Sequence, residues 1–324
     1  MPHEVRSTEH SVPAETAEPA VEFAVDDTLA GQRLDRALAA SVAGLSRTRA
    51  QAAIAAGTVT VDGRPAKSSL LLEPGMRVVF AAAEPRAPVR ATVTQPAPPL
   101  RVVFEDAHIL VVDKAAGVVV HPAPGHASGT LVDAVLAHVP DLDAGDDASR
   151  PGIVHRLDKD TSGLLVIAKD AASHTHLAEQ MKERRTVKRY LALVEGQMPV
   201  PEGVIEAPVG RDPRHRQRMA VLTTAGGGRD ARTRFKVLRT ARGRSLLEVQ
   251  LETGRTHQIR VHLAAVHHPV VGDPVYGRPQ LPLPPRQFLH AAHLEFAHPS
   301  SGEWLVFDAP LPKDLAAFLA EWER

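Results

Sequence analysis

A chain of 324 residues that is 44% hydrophobic can hold one large domain plus a small one, each with its own core. Zero cysteines exclude a disulfide framework and any thiolate metal site. No apolar run approaches the ~20 residues of a membrane span, and no basic segment followed by an apolar core opens the chain. A cytoplasmic protein with no membrane partner is therefore expected. Formal net charge is zero, which by itself argues against a polyanionic partner, but the charge is unevenly placed. Residues 1–27 carry seven acidic side chains and one arginine, which leaves 37 basic against 31 acidic in the remainder. Five of the eight residues from Lys182 to Arg189 are basic, and four arginines fall from Arg211 to Arg218. Clustered arginine on a folded body is the footprint of phosphate binding; solvated helix ends and loops are the ordinary alternative.

Residues 1–22, rich in Pro, Glu, Ala, Ser and Thr and without periodicity, read as a disordered acidic tail. A compact module is predicted over 23–83. Leu34, Ala37, Leu38 and Val42 recur at helical spacing. Ser46 is placed as the N-cap of a second helix carrying Ala50, Ala53 and Ile54, with Gly57 as its stop. Thr58 to Val61 alternates like a strand, Asp62-Gly63 signals a hairpin turn, and Val78 to Phe80 closes the unit. Arg47 and Arg49 fall in the first turn of the second helix, where the dipole disfavours cations. A phosphate partner accounts for them; ordinary exposed helix positions do so too. Proline recurs over 84–99, marking a semi-stiff linker.

From 100 to 324 strands are predicted near 101–104, 108–113, 163–168, 188–195, 204–208, 232–239, 244–251, 291–296 and 304–307. Helices are predicted at 129–139, 171–184, 257–266 and 312–322. Strands outnumber helices and do not alternate with them, so the expected class is α+β with a mixed, mostly antiparallel sheet. Residues 209–231 lack apolar periodicity, contain Arg/His and Gly226-Gly227-Gly228, and read as a mobile basic loop.

The most informative stretch is His155-Arg156-Leu157-Asp158-Lys159-Asp160-Thr161-Ser162-Gly163. Ile153-Val154 before it and Leu164 to Ala168 after it predict two strands joined by a polar connection. That connection presents an imidazole, a guanidinium and two carboxylates within six residues, and strand-fixed loops are where chemistry usually sits. A charged hairpin tip with an Asx turn at Asp160 is the plain alternative. The residues themselves do not choose between Asp158 and Asp160 as a reacting carboxylate. Among the seventeen histidines, His257, His262, His267 and His268 are close in sequence, but they lack HExxH spacing and an accompanying carboxylate. No functional metal is expected.

His155 to Gly163, Lys188-Arg189-Tyr190-Leu191-Ala192-Leu193-Val194-Glu195-Gly196, and Thr253-Gly254-Arg255-Thr256-His257-Gln258-Ile259-Arg260-Val261-His262 together resemble the three signature motifs of the RluA/RluD family of pseudouridine synthases. Supporting matches are Asp113-Lys114 with Gly117 to Pro122, Gly129-Thr130-Leu131-Val132, Leu289-His290-Ala291 and Phe296-Ala297-His298-Pro299, so the resemblance spans roughly 100–312. Ala115 departs from it, standing where the family usually has proline after the lysine. Ser46 to Arg49 through Gly57 to Gly63 resembles the S4 RNA-binding domain, which presents basic residues to structured RNA.

The resemblance implies isomerisation of uridine to pseudouridine in large-subunit (23S) ribosomal RNA by a monomer that needs no cofactor. It implies a long mixed sheet crossed by an RNA-binding cleft. Asp158 is then the catalytic carboxylate, as nucleophile or base. Attack on ribose C1′, attack on uracil C6 and deprotonation at C2′ remain equally open. Arg260 is expected to pair with Asp158 and hold it ionised, with Arg255 as the competing candidate or a phosphate ligand. Tyr190 is implied as the platform for the uracil, also considered for proton transfer at carbon. Arg156 is implied to fill the space left by a flipped nucleotide. His155 is expected to shape the turn rather than titrate. Arg47 and Arg49 would contact RNA. The competing functions are a non-catalytic S4-type RNA-binding or ribosome-assembly protein, a synthase acting on tRNA, and a metal-dependent hydrolase.

Overall fold

The computed structural model describes residues 21–42, 45, 47–81, 96–123, 126–142, 150–215, 218–277 and 281–324. The chain divides into two units, Met1–Val89 and Arg90–Arg324. The first contains β1 (Val21–Ala24), α1 (Leu34–Ser41), α2 (Arg47–Ala55), β2 (Val59–Val61), β3 (Arg64–Pro65) and β4 (Arg77–Phe80). Its four strands form an antiparallel sheet in the order β1-β4-β2-β3. Leu34, Ala37 and Leu38, three to four apart on α1, bury one face against Ala50 and Ile54 of α2 and against Val59, Val61 and Val78. Asp62 and Gly63 both take positive φ, the geometry a two-residue hairpin turn demands. Pairing of Val21 with Phe80 starts the unit ahead of the boundary at 23 expected from sequence. Residues 1–20 of the expected acidic tail, Ser46, the side chains of Arg47 and Arg49, and residues 84–95 of the expected linker lie outside the described residues.

The second unit runs β5 (Val102–Glu105), β6 (Ile109–Lys114), α3 (Leu131–His138), β7 (Ser162–Ala168), α4 (Ala171–Lys182), β8 (Val187–Glu195), β9 (Glu202–Glu206), β10 (Val209–Arg211) and β11 (Met219–Val221). It continues with β12 (Arg232–Ala241), β13 (Arg244–Leu251), α5 (Gln258–Ala265), β14 (Leu289–Ala297), β15 (Trp304–Asp308) and α6 (Lys313–Glu323). Nine strands form one sheet in the order β5-β6-β7-β14-β8-β13-β12-β9, with β15 also paired to β14. Every pairing is antiparallel except β7 with β14. Leu110, Val112, Leu165 and Ile167 pack with α3 and α5, whereas Ile109, Val111, Leu164 and Val166 pack with Leu177 of α4. Covering both faces explains why β6 and β7 are buried throughout and carry the continuous apolar runs Ile109 to Val112 and Leu164 to Ala168 instead of alternating.

Two expectations fail. Ile153-Val154 is not a strand: Ile153 makes a single bridge to Ile167. The free edge of β7 is met instead by loop groups, with the Gly152 carbonyl accepting from the Ala168 N–H and His155 Nε2 accepting from the Val166 N–H. Residues 209–231 are not an irregular loop, because β10 and β11 pair antiparallel. Three-residue strands are too short to show periodicity, and their Val209 and Met219 are fixed by packing around Val261 of α5.

The short parallel contact sets the site. His290 and Ala291 of β14 pair with Ser162 and Gly163, where β7 begins. Gly163 has φ +116, and a Cβ there would lie 2.2 Å from the Ala291 carbonyl oxygen. Only glycine lets the polar stretch enter the sheet so closely beside β14.

Candidate active site

The residues before β7 carry Asp158, whose side chain is 15% exposed. Arg260, in the first turn of α5, donates from Nη1 to Asp158 Oδ2 at 3.0 Å. Its other face is fixed by Asp273, which accepts from Nε at 2.7 Å and from Nη2 at 2.9 Å. This two-point pairing holds a planar guanidinium in one orientation. Asp273 is itself held, since its Oδ1 accepts from the N–H groups of Val275 and Tyr276 at 2.8 and 3.0 Å. Burial works against the Arg260 cation, but the hydrogen bonds and charge of Asp273 and the charge of Asp158 outweigh it and raise its pKa. Burial likewise works against the Asp273 anion, and Arg260 reverses that to hold its carboxyl below the usual range. The Tyr276 ring lies 5.2 Å from the Arg260 guanidinium carbon and 5.2 Å from that of Arg218.

The backbone around Asp158 is fixed from several directions. Lys114, buried at the end of β6, donates to the carbonyls of Ala115, Val118 and Lys159 at 2.8, 2.9 and 3.0 Å. Burial brings its pKa down to about 7, with the charges of Asp158 and Asp160 opposing. Arg286 donates to the Asp160 carbonyl at 2.9 Å and to Ser162 Oγ at 3.0 Å, and is held in turn by Asp314 of α6 at 2.8 Å. Gln287 Nε2 donates to Thr161 Oγ1 at 2.8 Å. Asp160 enters this network through its carbonyl.

Tyr190 lies in β8 between Val249 of β13 and Ala291 of β14 and is 5% exposed. With Asp158, Arg260 and the apolar Leu157, Leu251, Ile259 and Leu289 it lines one pocket. Burial, then the charge of Asp158, pushes the Tyr190 phenol pKa up, so it is protonated at neutral pH. Arg156 is exposed and lines the same pocket with Arg255. Burial, then the charge of Arg229, depress the Arg255 pKa, with Asp230 opposing and Arg184 adding to the depression. His155 is pushed down to about 3, first by burial and then by Lys188, so it is a neutral acceptor for the sheet edge.

The structure thus gathers Asp158, Arg156, Tyr190, Arg255 and Arg260 around one pocket, while Arg47 and Arg49 belong to the other unit. Sequence reasoning missed Asp273, Tyr276 and His257. The available signals were the turn-forming Gly272-Asp273-Pro274 and the second of the chain's two tyrosines. The buried His262 is taken up by Thr233 Oγ1 and the Ala207 carbonyl, and among the described residues no three His, Asp or Glu are grouped to hold a metal. No helix among them is long and apolar enough to cross a membrane.

Comparison with known proteins is consistent with this geometry. Residues 108–265 match the RNA pseudouridylate synthase family and residues 32–78 match the S4 domain. An uncharacterized RNA pseudouridine synthase of Chloroflexus aurantiacus is 52% identical over 92% of both chains. Ribosomal large subunit pseudouridine synthase D of Nitrosomonas europaea is 46% identical over 92% of this chain and 87% of its own. The structure of human RNA pseudouridylate synthase domain containing 1 aligns at a TM-score of 0.54 and 29% identity, covering 67% of this chain and 86% of that one.

Proposed function

We propose that this chain, which belongs to the RNA pseudouridine synthase family, isomerises uridine in large-subunit ribosomal RNA with Asp158 as the reacting carboxylate. The observation that carries the reading is Asp158 in a partly apolar pocket, paired with an Arg260 that a second carboxylate locks in place. The reaction breaks the N1–C1′ bond, turns the uracil and joins C5 to C1′, and the proton lost from C5 is matched by one taken up at N1. Electrons and atoms balance without an oxidant or an energy source. A carboxylate can add to C1′, add to C6 or take the C2′ proton, and in each role it must act as an anion. Arg260 is the fixed counter-charge for that anion. Tyr190 offers a protonated ring wall for the base, and the arginines beside the pocket suit the backbone phosphates.

The S4 domain supports a structured RNA as substrate, and relatives named for the large ribosomal subunit support the choice of RNA. Pseudouridine mapping in a strain lacking the gene tests both parts. Particular large-subunit positions should lose pseudouridine and regain it with the wild-type gene but not with Asp158→Asn. Losses confined to tRNA would overturn the substrate, and an unchanged map in all RNAs would overturn the reading.

Arg156 is proposed to occupy the stack that the target uridine vacates. Unstacking costs a few kcal/mol, so Arg156→Ala should slow reaction on folded RNA by about 10- to 100-fold. A flexible oligonucleotide carrying the same uridine should be slowed by less than about threefold, because little stacking is lost there. Equal slowing of both substrates would reassign Arg156 to orienting Asp158.

A further inference from the structure

His257 lines the pocket but has no part in the chemistry above. It precedes α5 with φ 56 and ψ 17, a left-handed conformation that non-glycine residues adopt at a cost and that concentrates at functional sites. Its ring meets Tyr276 edge-on, with centroids 5.7 Å apart, and its Nδ1 lies 2.9 Å from the Tyr276 hydroxyl. That hydroxyl oxygen already accepts from the Met219 N–H at 2.8 Å. The phenol keeps its own proton, because burial raises its pKa. Among the described residues, the acceptor in reach of that proton is His257 Nδ1.

An imidazole that accepts at Nδ1 carries its proton on Nε2 when neutral. Neutrality is favoured by burial first, then opposed by Asp158, then favoured by Arg260, opposed by Asp273 and favoured by Arg156; the net shift of the pKa is downward. Nε2 stops 4.0 Å from Asp158 Oδ1, too far for a hydrogen bond. The free enzyme therefore holds an oriented N–H donor beside the reacting carboxylate, and its acceptor is not among the described residues.

We infer that His257 Nε2–H donates to a carbonyl oxygen of the target pyrimidine and stabilises the negative charge that the ring acquires during reaction. The inference rests on the uridine isomerisation proposed above. Cleavage of N1–C1′ leaves its electron pair on the base, where it is shared between nitrogen and the carbonyl oxygens. Addition at C6 likewise drives charge onto a carbonyl oxygen. In either case no proton need leave His257, and the pair returns to carbon when C5 joins C1′. A pre-oriented donor at such an oxygen binds the transition state more tightly than the substrate. Tyr276 is the positioning residue that sets the tautomer.

Single-turnover kinetics on one RNA test this. His257→Asn tolerates the left-handed conformation but is too short to reach the base. Its rate should fall about 100-fold, as for loss of one pre-organised donor, with RNA affinity within about twofold of wild type. Tyr276→Phe keeps the ring under Arg260 and removes only the hydroxyl, so a loss of about tenfold is expected, the worth of one hydrogen bond. The double variant should be no slower than His257→Asn alone, since both act through one donor. A His257→Asn rate within about twofold of wild type would overturn the inference. So would losses that multiply, or an affinity that falls as far as the rate. Wild-type enzyme that forms no pseudouridine on this RNA would overturn the isomerase reading instead, so the two failures are distinct.

Discussion

Asp158→Asn is expected to reduce pseudouridine formation by more than about 10³-fold, the scale of losing a positioned acid–base or nucleophilic group. RNA affinity should stay within about twofold, because one partly buried carboxylate makes few phosphate contacts. The asparagine has the same shape and still offers an oxygen to Arg260 Nη1, and Arg260 keeps its two bonds to Asp273. The variant should therefore fold normally, so that a lost rate reports chemistry. Asp160→Asn is the paired control. Asp160 serves the loop through its carbonyl, accepting from Arg286, and the substitution should retain activity within about threefold. An inactive Asp160→Asn beside an active Asp158→Asn would exchange the two assignments.

Asp273→Asn should damage stability and rate together. The Asp273 side chain is fully buried, and it is bound to Arg260 at two points. Breaking a buried pair by removing one charge costs about 3 to 5 kcal/mol, measurable as a lower denaturant midpoint. With its anchor weakened, the guanidinium is free to turn fully onto Asp158, and a rate loss of at least about 100-fold is expected. The pH dependence of stability gives an independent reading. The Asp273 pKa is depressed in the folded protein, so its contribution is fully present above the unfolded value of about 4 and is lost as pH falls through the lower folded value. Wild type should lose stability on acidification more steeply than Asp273→Asn. Equal stability at neutral pH, with parallel acid profiles, would show that Arg260 is fixed by other contacts.

What was legible in the sequence were patterns repeated over several residues. The 3.6-residue recurrence of Leu34, Ala37 and Leu38 marked a buried helix face, and the apolar runs in β6, β7, β8 and β13 marked strands. The meeting of Asp158 with Arg260, 102 residues apart, was legible only through the combined motif resemblance. Of the elements of two to four residues, β2, β4 and β5 were legible, whereas β1, β3, β10 and β11 were not: partners hold these four, and their own residues carry too short a pattern. Ile153-Val154 failed for the opposite reason. Its apolarity predicts a strand, whereas Gly152 and His155 satisfy that edge of β7 with isolated contacts. Asp273 and Lys114 were silent as site-builders because their roles depend on burial and on what lies across the fold. The same absence of periodicity kept the Tyr276–His257 contact out of reach.

Arg286 stands 126 residues beyond Asp160, and its own anchor Asp314 is later still. Synthesis therefore lays down Asp158 long before these parts that tighten its loop. A chain grown through β8 can pair β6 with β7, but the Asp160 carbonyl has no guanidinium to hold it until Arg286 has been made. The Asp160 end of that loop is thus fixed by residues made well after it, whereas the Lys159 carbonyl beside it is held by Lys114, made before it.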